Sequence, residues 1–291
     1  MTAQLPASPR PLQGGRSAPR FKDALAVHIS PFERRAAHLV ERVRPPSLRS
    51  FDQIPMRADD LIRQVKLIGP YLEAQSVLFM GDADCTSLML GLLGKLGYNM
   101  PAMMHVVDFD ERLLLHMRHF SVRHGFADRL HTCLYNAFDP APLDLLGQFD
   151  WFYTNPPYGS NNNGTSARLF VARGCEMTRN GGSGCIILPD DVTRPWSHNA
   201  MAATQRFLLE YGWMVKEKLD DMHAYHLDDD KTLLSSTMIV RHNPPGDSPV
   251  EQSPYAGRRV GFEEIPGFYG RSMLPPYAHY VRLRGEDYDW S

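Results

Sequence analysis

Little in this chain offers a staple, a membrane anchor or a grip on a polyanion. Only four cysteines occur in 291 residues: Cys85, Cys133, Cys175 and Cys185. None stands in a CxxC pair, which speaks against a zinc site and a disulfide framework. They read as buried thiols of a reducing cytosol. No apolar run reaches membrane-spanning length. The 31 Lys and Arg against 33 Asp and Glu leave a net charge of −2 without a basic run, so a stand-alone nucleic-acid binder is not favoured. No GxGxxG occurs, so a dinucleotide phosphate cradle is unsupported. The first stretch, "MTAQLPASPRPLQGGRSAPR", lacks the apolar centre of a secretory signal. It reads as a disordered tail, with a basic transit peptide as the alternative.

What is present is alternation. Hydrophobic residues make up 43%, enough for a proper core. "DALAVHISPFERRAAHLVERV" has helical periodicity broken at Pro31, which predicts two short helices. A helix over 59–72 follows, with Gly69-Pro70 marking its end. From "SVLFM" onward, strands and helices alternate through five strands, the fifth being "GCIILPDD". That order predicts an α/β, mostly parallel sheet with helices on both faces. The last two strands, "WMVKEKLDDMHAYHL" and "SSTMIVRHN", have no helix between them and should pair antiparallel at one edge. The expected divisions are a tail over 1–20, a helical segment over 21–72, a catalytic domain over 73–242 and an extension over 243–291.

Open parallel sheets bind ligands beyond the carboxyl ends of their strands, and the unusual residues fall there. Gly81, after the first strand, permits a tight turn and close backbone approach. Asp82 and Asp84 follow, with helix capping as the alternative to a ligand role. Asp108 and Asp110 end the second strand, where a carboxylate accepts from a ribose diol. Asp139 after the third strand suits the exocyclic amine of an adenine, with Phe138 against its ring. The fourth strand ends in Asn155-Pro156-Pro157-Tyr158. The prolines stiffen the loop and remove donors. The Asn155 side chain and the Pro156 carbonyl are then two acceptors for an amine, beside the Tyr158 ring. The polar loop between Gly159 and Gly164 reads as a lid.

These motifs carry a resemblance. Strand, acidic loop, terminal acid and NPPY in this order resemble a Rossmann-like class I S-adenosylmethionine-dependent methyltransferase, with a seven-stranded sheet ending in an antiparallel edge hairpin. Within that superfamily, "GDADCTS" and "LFVARGCEM" are similar to the branched-chain polyamine synthases, the N(4)-bis(aminopropyl)spermidine synthase family. The resemblance implies decarboxylated S-adenosylmethionine as donor and aminopropyl transfer to a polyamine. It places Asp82 and Asp84 at the donor and amine sites and Asp108 or Asp110 at the ribose. No metal is expected. Two departures stand out: archaeal members carry Asp-Pro-Pro where this chain has Asn155-Pro156-Pro157, and they carry an N-terminal winged-helix-like domain for which the residues ahead of Asp59 are too few.

The chemistry sharpens the first departure. An aliphatic amine, with a pKa on the order of 10, is protonated at neutral pH and needs a base. Asn155 can orient an amine but cannot take its proton. Asp84, Asp190 or His223 are the candidate bases, with an ordinary surface histidine as the alternative for His223. An acidic rim of Asp82, Asp84, Asp190, Asp191, Asp220, Asp221 and Asp228 to Asp230 suits a polycation, with Asp190, Asp191 and His223 expected to bind it. The leading expectation is a cytosolic aminopropyltransferase acting on a small polyamine, with no membrane partner and room for a homodimer. Amino-group methylation from S-adenosylmethionine is the alternative, and a non-catalytic binding protein of the same fold is a third reading.

Overall fold

The computed structural model describes residues 27–191, 193–227, 232–243, 253–269, 278–283 and 288–290. The expected tail, Asp228 to Asp230 and much of the expected extension lie outside them. Helices are α1 (Pro31–Val43), α2 (Ala58–Leu72), α3 (Thr86–Gly94), α4 (Glu111–His124), α5 (Thr165–Met177) and α6 (Pro195–Glu210). The main strands are β1 (Ser76–Met80), β2 (Met103–Asp108), β3 (Leu130–Leu134), β4 (Phe149–Thr154), β5 (Thr178–Pro189), β6 (Trp213–Ala224) and β7 (Leu234–His242). They form one seven-stranded sheet in the order β3-β2-β1-β4-β5-β7-β6. A separate small pair joins β8 (Ala278–Val281) and β9 (Tyr288–Trp290).

Strands β1 to β5 are mutually parallel, and β7 runs antiparallel to both β5 and β6. The edge pair is therefore as expected, but β7 lies inside it, between β5 and β6. The apolar run of β1 serves both faces by simple alternation. Val77 and Phe79 pack with α1 to α4, while Leu78 and Met80 pack with α5, α6 and the segment around Val260 to Tyr269.

Two helix expectations need correction. Residues 27–30 are not helical, and Pro31 begins α1 instead of interrupting it. Pro at the first helical turn sacrifices only an amide that has no partner there anyway, and the Ser30–Glu33 capping box closes the end. Pro70 likewise sits inside α2 and does not end it. It falls in the last turn, where one lost hydrogen bond is tolerated and the fully buried Leu72 holds the chain in register.

Candidate active site

The loop after β1 turns on Gly81, whose φ is +70°; a Cβ there would stand 3.1 Å from the Phe170 ring. The next residues split in role. Asp82 points inward and accepts from the Thr86 and Ser87 amides at 2.8 and 3.0 Å, capping α3. Burial, with Asp84 nearby, pushes its pKa up to about 8. Asp84 accepts from the Met56 amide at 2.7 Å and from Asn155 Nδ2 at 2.7 Å. Burial raises its pKa above the ordinary carboxylate value.

After β2, Asp108 accepts from the Asp82 and Asp110 amides at 3.1 and 2.9 Å. Burial, and then the Asp110 charge, lift it to about 7. Asp110 caps α4 through the Arg112 amide, pairs with the Arg112 guanidinium at 2.7 Å and accepts from Gln53. Only Asp108 of the two faces the cleft. After β3, the Phe138 ring is buried between Phe262 and Phe268, and Asp139 takes the Tyr280 hydroxyl at 3.0 Å and faces Arg259 at 3.6 Å. Neither lines the cleft; Asn136 does. Asp139 and Phe138, expected at an adenine, here contact the C-terminal segment.

Thr154 donates to the Met80 carbonyl at 2.8 Å and ties the end of β4 to β1. Beyond it, Asn155, Pro156, Pro157 and Tyr158 line the cleft. The Asp84 bond fixes the Asn155 amide so that Oδ1 faces the Tyr158 hydroxyl, 3.2 Å away. Tyr158 also bonds the Tyr225 hydroxyl, which bonds Ser235 Oγ at 2.6 Å. The Gly159–Gly164 loop is a closed turn: Gly164 donates to the Gly159 carbonyl, and Asn162 reaches Ser166, Pro266 and Gly267.

The acidic rim is different from the expected one. Asp190 pairs with Lys218 at 2.7 Å and accepts from Ser236. Burial opposes its charge, but these partners hold its pKa below the usual range. Asp191 is held low by Thr193 and then Arg194. Asp220 shares Lys218. Neither Asp190 nor Asp191 lines the cleft, and each is paired with a cation, Lys218 and Arg194. His223 is buried, not on the surface, and bonds Ser235 and Gln64 at 2.9 and 2.8 Å. Burial drives its pKa down to about 3, so it stays neutral.

Two cavities adjoin at Asp52, Ala83, Asn155 and Pro157. The larger encloses about 370 Å³ and also reaches Asp84, Tyr158, Arg194, Trp196 and Tyr225. The smaller, about 50 Å³, holds Gly81, Asp108, Asn136, Phe109, Phe170 and Tyr269. That is well below the several hundred Å³ usual for a small-molecule site, and aromatic rings make up much of its wall. Asp52, Tyr225, Trp196 and Tyr269 carried no motif. One signal for Tyr225 existed: it lies two residues from His223, on the same side of an extended chain. Among the described residues, no cluster of His, Cys, Asp or Glu suits a metal ion. Nor is any helix long and apolar enough to cross a membrane.

Sheet order, the lone antiparallel strand and a cleft at the strand ends define a Rossmann-like class I methyltransferase fold. The branched-chain polyamine synthase from Thermus thermophilus, solved with N4-aminopropylspermidine and 5'-methylthioadenosine, shares that fold at a TM-score of 0.61. The two are 24% identical, over 87% of this chain and 77% of that one. The chain belongs to the branched-chain polyamine synthase A C-terminal domain family, whose model matches residues 34–252. It is 28% identical over 184 residues to the N(4)-bis(aminopropyl)spermidine synthase of Thermus thermophilus, covering 62% of this chain. It is 28% identical over 170 residues to an uncharacterised protein of Methanocaldococcus jannaschii, covering 58% of this chain. The matches span 50% and 39% of those two relatives.

Proposed function

We propose that this chain alkylates an amine nitrogen of a polyamine, taking an aminopropyl group from decarboxylated S-adenosylmethionine. The observation that carries the reading is the Asn155–Asp84 pair, with Asn155 at the junction of the two cavities and Asp84 in the larger. The donor supplies a carbon bonded to a sulfonium, activated for displacement. Asn155 Oδ1 orients an amine N–H, and Asp84, its basicity raised by burial, takes the proton that Asn155 cannot. The amine lone pair forms the new C–N bond, the C–S bond breaks toward sulfur, and the nitrogen loses its proton to Asp84. Positioning supplies much of the rate.

The smaller cavity fits the nucleoside end of the donor in kind. Asp108 offers acceptors for ribose hydroxyls, Gly81 allows close backbone approach, and Phe170 and Tyr269 offer aromatic faces. Donor entry displaces the rings that line it. No Lys, Arg or His lines that cavity among the described residues, which supports a donor without a carboxylate. Among the described residues, the one guanidinium lining the larger cavity, Arg194, is paired with Asp191.

Calorimetry with both donors tests the reading. Decarboxylated S-adenosylmethionine should bind tightly, and mass spectrometry should show aminopropyl groups added to spermidine. Tight binding of the intact donor alone would overturn it. It would select the second reading, methylation of a neutral amino group, which the amide at position 155 favours.

A further inference from the structure

A line of buried polar side chains runs from the cleft through the core to α2. Gln64, Ser235 and Thr237 are fully buried, and His223 and Tyr225 nearly so. These groups belong to no helix cap or ladder, and burying them is costly unless every one is paired.

Their hydrogens can be counted. Gln64 Nε2 donates to the Cys185 sulfur at 3.5 Å, so its Oε1 faces Thr237 Oγ1 and His223 Nε2, each at 2.8 Å. An amide oxygen only accepts, so His223 carries its hydrogen on Nε2. The ring is neutral, and its Nδ1 therefore accepts from Ser235, 2.9 Å away. With its single hydrogen given to His223, Ser235 accepts from Tyr225 at 2.6 Å. Tyr225 in turn accepts from Tyr158. Tyr158 has one hydrogen and two acceptors in reach, the Tyr225 oxygen and Asn155 Oδ1. The chain draws that hydrogen to Tyr225 and leaves Asn155 Oδ1 open on the cleft side.

We propose that Gln64, His223 and Ser235 are positioning residues: they fix the direction of a hydrogen-bond relay that keeps Asn155 Oδ1 available to the acceptor amine. The proposal rests on the amine-transfer reading above. Reverse the relay, and Tyr158 donates to Asn155 Oδ1, competing with the substrate for the same lone pairs. Gln64, His223 and Ser235 line neither cavity, so they set an acceptor's availability from behind the cleft wall.

Two arms test it. Long-range proton–nitrogen NMR, with His223 assigned by difference against His223→Gln, should show the neutral Nε2–H tautomer at neutral pH. An Nδ1–H tautomer would overturn the relay, whatever the enzyme's activity. The second arm is kinetic. Tyr225→Phe leaves Tyr158 no acceptor but Asn155, so kcat/KM for the amine should fall roughly tenfold, the worth of about one hydrogen bond. Adding Tyr158→Phe removes the competing hydrogen and should recover part of that loss. A double variant worse than the single would overturn the proposal. Ser235→Thr should retain the activity that Ser235→Ala loses, with donor affinity equal in both. If the wild type binds donor but transfers nothing to any polyamine, the function fails while the tautomer arm still decides the relay.

Discussion

Asn155 is a weak partner for an ammonium until Asp84 is set against it. At 2.7 Å the two act as one unit, the amide aiming the nucleophile and the carboxylate taking its proton. Replacing Asp84 by Asn should cut kcat by about 10²–10⁴-fold, the range for loss of a positioned base, with donor affinity little changed. Steady-state kinetics beside calorimetry checks both halves. Asn155→Ala should abolish turnover with near-intact donor affinity; unchanged turnover would reduce the motif to a turn. The reactive form of Asp84 is the ionised one, so kcat should rise with pH on a limb displaced above the ordinary carboxylate range, as burial dictates. Residue types at strand ends were enough to pick out Asn155, Pro156, Tyr158, Gly81 and Asp108, all of which line the two cavities. Their partners were not readable. Met56 and Tyr225 reach the site through an isolated bridge between segments far apart in the chain, and no local pattern encodes such a meeting. Asp82 and Asp110 look the same as their neighbours in sequence and differ only in which way the backbone turns them.

Among the elements, close approach decides more than propensity. Gly91 lies inside α3, where Ala would be the better helix former. Yet a Cβ there would stand 2.4 Å from the Phe126 ring. Gly91→Ala should therefore destabilise the protein, by about 1–3 kcal/mol as overpacking does, in a denaturant titration. Alternation of strand and helix made the parallel sheet legible, and the missing crossover before β7 made the antiparallel pair legible. The slot that β7 takes was not, because period-2 patterning says which face a residue meets and never which strand lies beside it. Pro31 and Pro70 were misread for a related reason. Pro31, in the first turn, forfeits no bonded amide, and at Pro70 the one lost bond is offset by the buried residues that carry the helix on to Leu72.

At the scale of the molecule, one buried side chain ties several carbonyls of the C-terminal segment to the helix layer on the sheet face. Arg173 of α5 is buried and donates to the carbonyls of Ala137, Tyr255 and Arg258, with Glu176 as its ion partner. Arg173→Met should cost about 3–5 kcal/mol and lower Tm, since it leaves Glu176 and three carbonyls without it. The site also shapes stability against pH. Asp82 and Asp108 titrate near 8 and 7 in the fold, above their unfolded values. Such groups stabilise most below the unfolded pKa, and the contribution fades as pH climbs through the folded one. The Tm of the donor-free protein should fall as pH rises from about 4 to about 8, and Asp108→Asn should flatten that slope. The sheet order has one more effect. Strand β6 hydrogen-bonds to the sheet through β7 alone. A chain still being synthesised, halted after Ala224, already carries Asp84 and Asn155 but lacks the strand that pairs β6 to the sheet. The buried histidine then waits for the following strand to emerge, so the last strand of the seven-stranded sheet to be made assembles the wall behind a cleft whose floor was laid down much earlier.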